Sequence, residues 1–381
     1  VDHLVLNEAE LTLPDFLEDL AEGRAGRVYS SKNFADMSRT PAPEWQLLNL
    51  KHYHSMAVQY SRGCPFNCDF CNITSLLGRK VRTKTTKQII DELDALYALG
   101  WRGKVFFVDD NFIGNKSRIK SDLLPALIAW RKGKKGCTFH TEASINIADD
   151  EELMRLMSEA GFDMVFVGIE TPDDSSLAEC KKKQNEHRDL VEDVKRIQRS
   201  GLQVQGGFIV GFDSDGPSVF RKQIEFIQNS GIVTAMVGIL QAPMGTRLYQ
   251  RMKDQGRVRG SGTGDNVEGT TNIIPAMDMD LLRRGYRDIL DNIYAPKHYY
   301  ARIKTFLREY RRPRVAGPFA WSEIMAFFLS IFRLGLAGKE RLQYWKLMLW
   351  TCCRRPRHLP VAVTLAIMGY HFRRVCELHI R

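Results

Sequence analysis

Ser61-Arg62-Gly63-Cys64-Pro65-Phe66-Asn67-Cys68-Asp69-Phe70-Cys71 brings three thiols into eight residues at the spacing C-x3-C-x2-C. Iron-sulfur clusters are held by Cys thiolates, and ligands this close on one loop can wrap a single cuboidal cluster. Three thiolates leave a fourth iron open to another ligand. A structural zinc site is the alternative, but it normally completes four Cys or His ligands from neighbouring pairs. No second pair follows here, and Cys352 and Cys353 are remote and adjacent in sequence, a strained arrangement for two bonds to one tetrahedral metal.

Around this loop the chain alternates short apolar runs with helical stretches. Strands are predicted at Met56 to Tyr60, Lys104 to Val108, Thr138 to Glu142, Met164 to Ile169, Gln203 to Val210 and Ala235 to Leu240. Between them lie helical signals: Thr86 to Leu99 stops at Gly100, Asp149 to Glu152 puts acid at a helix start, and Arg188 to Ser200 stops at Gly201. Six βα repeats predict an α/β chain, a partial (β/α)6 TIM-like barrel with a helical C-terminal extension. Its chemistry belongs at the C-terminal strand ends.

Four segments are expected. Residues 1–50 carry a short strand, an acidic helix from Leu13 to Glu22 and a Pro-rich connector; 51–255 form the barrel. Residues 256–312 hold a Gly/Ser/Thr/Asn-rich lid loop (Gly256 to Asn272) and a helical region from Asp278 to about Arg311; 313–381 form a basic extension with Trp321, Phe327, Phe328, Trp345 and Trp350. Of the net charge of +10, residues 301–381 contribute +12, from 16 Lys and Arg against 4 Asp and Glu. That tail reads as a helical cap over the barrel with a solvated basic face, or as a helix lying at an anionic membrane surface. Its longest uncharged run, Leu359 to Phe372, is shorter than the roughly 20 residues of a spanning helix, so no transmembrane segment is expected. Eight cysteines without a secreted-type framework predict a reducing, cytoplasmic setting, peripheral at the membrane if the tail binds lipid.

The chain resembles the radical S-adenosylmethionine (SAM) superfamily, and within it the cobalamin-associated branch with a helical extension that includes hopanoid methylases and the anaerobic oxidative cyclase of bacteriochlorophyll synthesis. The similar stretches are Tyr60 to Cys71, Phe107-Val108-Asp109-Asp110-Asn111-Phe112, Gly168-Ile169-Glu170-Thr171-Pro172 and Gly206 to Phe212, continuing into Ala362 to Ile367 and Gly369 to Arg373. The resemblance implies a 4Fe-4S cluster on Cys64, Cys68 and Cys71, with SAM chelating the open iron through its amino and carboxylate groups. One electron then cleaves the adjacent C–S bond, and the 5′-deoxyadenosyl radical removes hydrogen from unactivated carbon. Asp109, Asp110 and Asn111 occupy the place of a Gly-Gly-Glu-like motif that binds the SAM amino group. Glu142, Ser144 and Glu170, with Glu170 favoured over Glu142, are implied around the amino group, ribose or methionine carboxylate. Phe70, Gly211 and Gln241 are implied near the adenine.

The resemblance further implies a small-molecule, lipid-like substrate and an electron donor such as flavodoxin or ferredoxin. The cobalamin signature Asp-x-His-x-x-Gly is absent from the sequence. Residues through Leu17 look like the last strand and helix of a cobalamin domain, so cobalamin is expected only through an upstream domain that this chain, beginning at Val1, lacks. Radical SAM methylthiolation of tRNA would need three more cluster cysteines before Cys64, and none is present, so no nucleic acid is expected. The expected reaction is carbon methylation. Oxidative cyclisation or another radical rearrangement, and a non-catalytic iron-sulfur or zinc protein, are the alternatives.

Overall fold

The computed structural model describes residues 1–260, 262, 269–311 and 321–379, with backbone alone for 321–323 and 379. Most of the expected lid, Trp321 as a side chain and the start of the extension at 313 lie outside the described residues. Six strands form one parallel sheet: β1 (Ser55–Val58), β2 (Lys104–Phe107), β3 (Thr138–Glu142), β4 (Phe162–Glu170), β5 (Gln203–Val210) and β6 (Thr234–Ile239). They lie side by side in chain order, the arrangement produced by successive right-handed βα units.

The helices α1 (Thr86–Ala98), α2 (Leu124–Arg131), α3 (Glu151–Ala160), α4 (Leu190–Arg199) and α5 (Val219–Ser230) return the chain between strands. Their ends are written in local chemistry. Thr85 and Gln88 close a reciprocal capping box on α1, and the Asp150 and Asp189 side chains accept from Leu153 and Glu192 N–H at the starts of α3 and α4. Gly161 ends α3 at φ 100°, a left-handed conformation that glycine adopts without strain.

Alternation along β4 sorts the two faces of the sheet. Val165, Val167 and Ile169 are fully buried toward the helices, whereas Phe166, Gly168 and Glu170 line cavities inside the barrel. A register shift between Gly168 and Glu170 ends the strand, and Glu170 sits at φ 63°, a conformation a side-chain-bearing residue holds only where its surroundings enforce it.

After β6 come α6 (Arg247–Asp254), α7 (Met279–Tyr294), α8 (Pro296–Glu309), α9 (Trp321–Ser330), α10 (Arg341–Arg354) and α11 (Leu359–His379). The helical region expected as one piece from Asp278 is two helices, because Pro296 cannot continue the first and instead opens the second. The acidic N-terminal helix begins at Ala9, earlier than expected, with Pro14 inside it, and the flanking strands Leu4–Val5 and Val28–Tyr29 pair in parallel.

One apolar core runs from the barrel into the extension. Arg302 of α8, with no exposed surface, donates to the Val233 and Ile293 carbonyls at 3.2 and 2.8 Å, and Tyr294 OH donates to the Ala235 carbonyl at 2.7 Å. Among the described residues no helix is long and apolar enough to cross a membrane. Gly369 of α11 packs against the buried Tyr299 ring, leaving no space for a Cβ. Gly369→Ala is therefore expected to lower stability by about 1–3 kcal/mol through overpacking, read by urea denaturation.

Candidate functional site

The cysteine loop leaves β1 and is held at both ends. Asp109, at the tip of β2 and 1% exposed, accepts from Tyr60 N–H at 3.2 Å and from the Ser61 N–H and hydroxyl. Asp110 accepts from Gly63 N–H at 3.2 Å. Gly63 itself sits at φ 92°, where a Cβ would meet the Gly78 and Lys80 carbonyls at 2.9 Å, so the turn into Cys64 requires glycine. At the far end Asp69 N–H donates to the Cys180 carbonyl at 3.0 Å, and its carboxylate pairs with Arg247 at 2.7 Å and Lys181 at 3.4 Å. Arg62 is gripped in turn by Glu10 at 2.8 Å and Glu8 at 3.3 Å, which ties the N-terminal helix to the root of the loop. The Arg62 guanidinium holds the Glu10 carboxyl down at about 2.

So held, Cys64, Cys68 and Cys71 line one cavity of about 170 Å³. The amide of Asn111 approaches the Cys64 sulfur at 3.9 Å and that of Gln184 approaches the Cys68 sulfur at 3.7 Å. Burial pushes the Cys64 thiol up and the Cys71 thiol up to about 11. Ligation must therefore displace protons from sulfur, as cysteine–metal bonds do. Among the described residues no three His, Cys, Asp or Glu side chains are grouped as ligands of a single ion. What the thiols share is a cavity ringed with donors to sulfur, and this donor set fits a cluster on three thiolates.

The predicted site residues divide. Phe70, Asp110, Asn111, Glu142, Ser144 and Glu170 line the cysteine cavity, and Asn111 Oδ1 accepts from Ser144 N–H at 3.2 Å. Gln241 lines the adjoining cavity of about 550 Å³, whose wall also includes Phe70, Phe166, Gly168, Glu170 and Gly207. Two of the expected residues lie outside both cavities. Asp109 does not line either cavity, because its carboxylate is consumed by the backbone of the loop it anchors. Gly211 does not line them either: at φ 103° it makes the turn after β5, donating to Asp215 at 2.8 Å, and a Cβ there would meet Leu282 at 3.1 Å.

Sequence reading missed Lys182 and Gln184, which line the cysteine cavity. Burial opposes the charge on Lys182, but Glu170 at 2.6 Å holds the ammonium well above its usual value. The Lys182 Nζ also lies 5.8 Å from the Phe70 ring centroid. Glu170 is thus partnered within the protein. Glu142 has no such partner among the described residues, and burial, aided by the Asp110 charge, pushes it up to about 7.

A family model of the radical SAM superfamily matches residues 58–239, and one described as a domain of unknown function (DUF4070) matches residues 246–381. An uncharacterized methyltransferase of Synechocystis sp. is 38% identical over 383 residues, 99% of this chain and 71% of the relative. The chain belongs to the radical SAM superfamily. It is also 34% identical over 341 residues to the hopanoid C-2 methylase of Rhodopseudomonas palustris, spanning 87% of this chain and 63% of that enzyme. The radical SAM enzyme OxsB, solved with aqua-cobalamin and SAM bound, matches 98% of this chain and 68% of its own at a TM-score of 0.59 and 15% identity, a likeness of fold. Radical SAM proteins use a 4Fe-4S cluster and SAM, and the matched residues 58–239 include the cysteine loop.

An acid whose folded pKa is raised stabilises the fold only while protonated, so that contribution is present at low pH and lost as pH rises. For Glu142 the window runs from about 4.5 to about 7. Glu142→Gln removes the cost, so the cluster-free variant should gain on the parent by about 1–3 kcal/mol across that window and by no more above it, measured by urea denaturation at pH 5 and pH 8.

Proposed function

We propose that this chain carries the catalytic barrel of a radical SAM methylase acting at an unactivated carbon of an apolar, lipid-like substrate, with cobalamin supplied by a domain outside this sequence. The observation that carries the substrate class is Phe166. This ring lines the cysteine cavity, the cavity holding Gln241 and a third, of about 320 Å³, between the barrel and α7 and α11. That third cavity is walled largely by apolar and aromatic side chains, among them Val237, Leu290, Phe372 and Val375. Adjoining cavities that share a wall suit a long apolar molecule presenting one carbon toward the cysteines. Likeness to a hopanoid C-2 methylase points the same way.

Cys64, Cys68 and Cys71 would hold the cluster, which would supply the electron for SAM cleavage, received from a donor of the flavodoxin or ferredoxin class. The chain's own residues bind and orient. The unpartnered Glu142 receives the SAM ammonium, which reverses the preference for Glu170 drawn from the sequence. Lys182 holds Glu170 in place beneath Phe70, and Asn111 and Ser144 supply polar groups beside the thiols. Phe166 and Phe70 exclude water from the reacting carbon. Cobalamin is the methyl carrier that the hopanoid methylase reading calls for, and OxsB, the fold neighbour, binds it.

Anaerobic reconstitution followed by reduction with SAM should yield 5′-deoxyadenosine, and Cys71→Ala should abolish it; equal yield from that variant would sink the reading. Glu142→Gln should weaken SAM binding to the cluster-loaded chain by roughly tenfold, the value of one charged hydrogen bond in a partly buried site. Isothermal titration checks this, and an unchanged affinity would return the ammonium to another acid.

A further inference from the structure

The C-terminal helices present a surface that the chemistry above leaves unused. Helix α9 and the π-helical turn Ile331–Leu336 that continues it expose Met325, Phe328, Leu329, Phe332 and Leu336, a spacing that lays them along one helical stripe. Helix α10 exposes Leu342, Trp345 and Leu349 in a second stripe. The two helices form a hairpin: the buried hydroxyls of Ser330 and Tyr344 meet at 2.9 Å, and Trp345 Nε1 donates to the Gly335 carbonyl at 2.9 Å. That bond lays Trp345 against the end of the first helix and brings the stripes together. Single exposed apolar side chains are ordinary, but a contiguous set of this size marks a contact surface.

Charge identifies the partner. From Ile324 to Lys346 the cations are Arg333, Lys339, Arg341 and Lys346, all exposed and without an ion pair among the described residues. The one acid in that interval, Glu340, is 2% exposed and bound to Arg373 at 2.7 Å. A second copy docking through the same face would bring four cations against four, because a two-fold interface opposes a patch to itself. No described helix is long and apolar enough to cross a membrane, so contact with lipid through this face is interfacial.

We propose that the α9–α10 hairpin docks this chain on an anionic phospholipid surface, with Phe328, Phe332 and Trp345 entering the headgroup boundary and Arg333, Lys339, Arg341 and Lys346 meeting lipid phosphates. The proposal is independent of the reaction assigned above: the hairpin lies outside the cysteine cavity, so loss of docking leaves SAM cleavage intact, and loss of SAM cleavage leaves docking intact.

The test is co-sedimentation of the cluster-loaded chain with vesicles of equal parts phosphatidylglycerol and phosphatidylcholine, against phosphatidylcholine alone. Binding is expected to the mixed vesicles, weaker by roughly tenfold or more without the anionic lipid. The double variant F328S/F332S should lose binding by a similar factor while keeping its far-ultraviolet circular dichroism and its 5′-deoxyadenosine yield. Leu47→Ser, at a residue 80% exposed and far from the hairpin in sequence, is the control and should bind as the parent does. The proposal is overturned by a parent that ignores anionic vesicles, by a double variant that binds as well as the parent, or by a concentration-dependent dimer that the double variant abolishes, which would give the face to a second copy.

Discussion

The shape of the cysteine cavity depends on holding three sulfurs, one buried and two half-buried, around one small space. A loop of eleven residues cannot do so alone. The protein supplies fixed points at both ends: Asp109 and Asp110 grip the backbone from Tyr60 to Gly63, and Asp69 is locked between Cys180, Lys181 and Arg247. These anchors come from β2, from the segment after β4 and from α6, so the loop's shape is a property of the whole barrel.

The N-terminal segment takes part in this restraint. Glu8 and Glu10 reach Arg62, and Glu8 also pairs with Arg82 at 2.8 Å, so the helix from Ala9 to Ala21 is clamped to the strand that opens the cysteine loop. A domain joined ahead of that helix would be mechanically continuous with the cluster site. Ion pairs of this kind, partly desolvated and shared among several groups, fix geometry more than they add stability.

The six strands were legible because short β-rich runs with buried apolar residues recur between helical stretches, and capping residues such as Thr85, Asp150 and Asp189 marked the helices. Site residues were legible only where a strand end announced them. Asp109 and Asp110 look alike in sequence, yet the first is taken up wholly by the backbone of the loop, whereas the second, bonded to Gly63 N–H, also lines the cavity, a difference that no local pattern carries. Lys182 sits in the run Lys181-Lys182-Lys183, which reads as a solvated charged surface; Glu170 at positive φ pulls its ammonium inward. Glu170 stood out in the sequence because it follows the apolar run Val165 to Ile169, and its pairing with Lys182 has no local sequence signal.

The most direct measurement is electron paramagnetic resonance of the anaerobically reconstituted, reduced chain with and without SAM. A cubane on three thiolates with one open iron predicts a reduced 4Fe-4S signal that changes shape when SAM is added and vanishes in the Cys64→Ala, Cys68→Ala and Cys71→Ala variants. Zinc in place of iron, or a cluster signal indifferent to SAM, would contradict the account at its root.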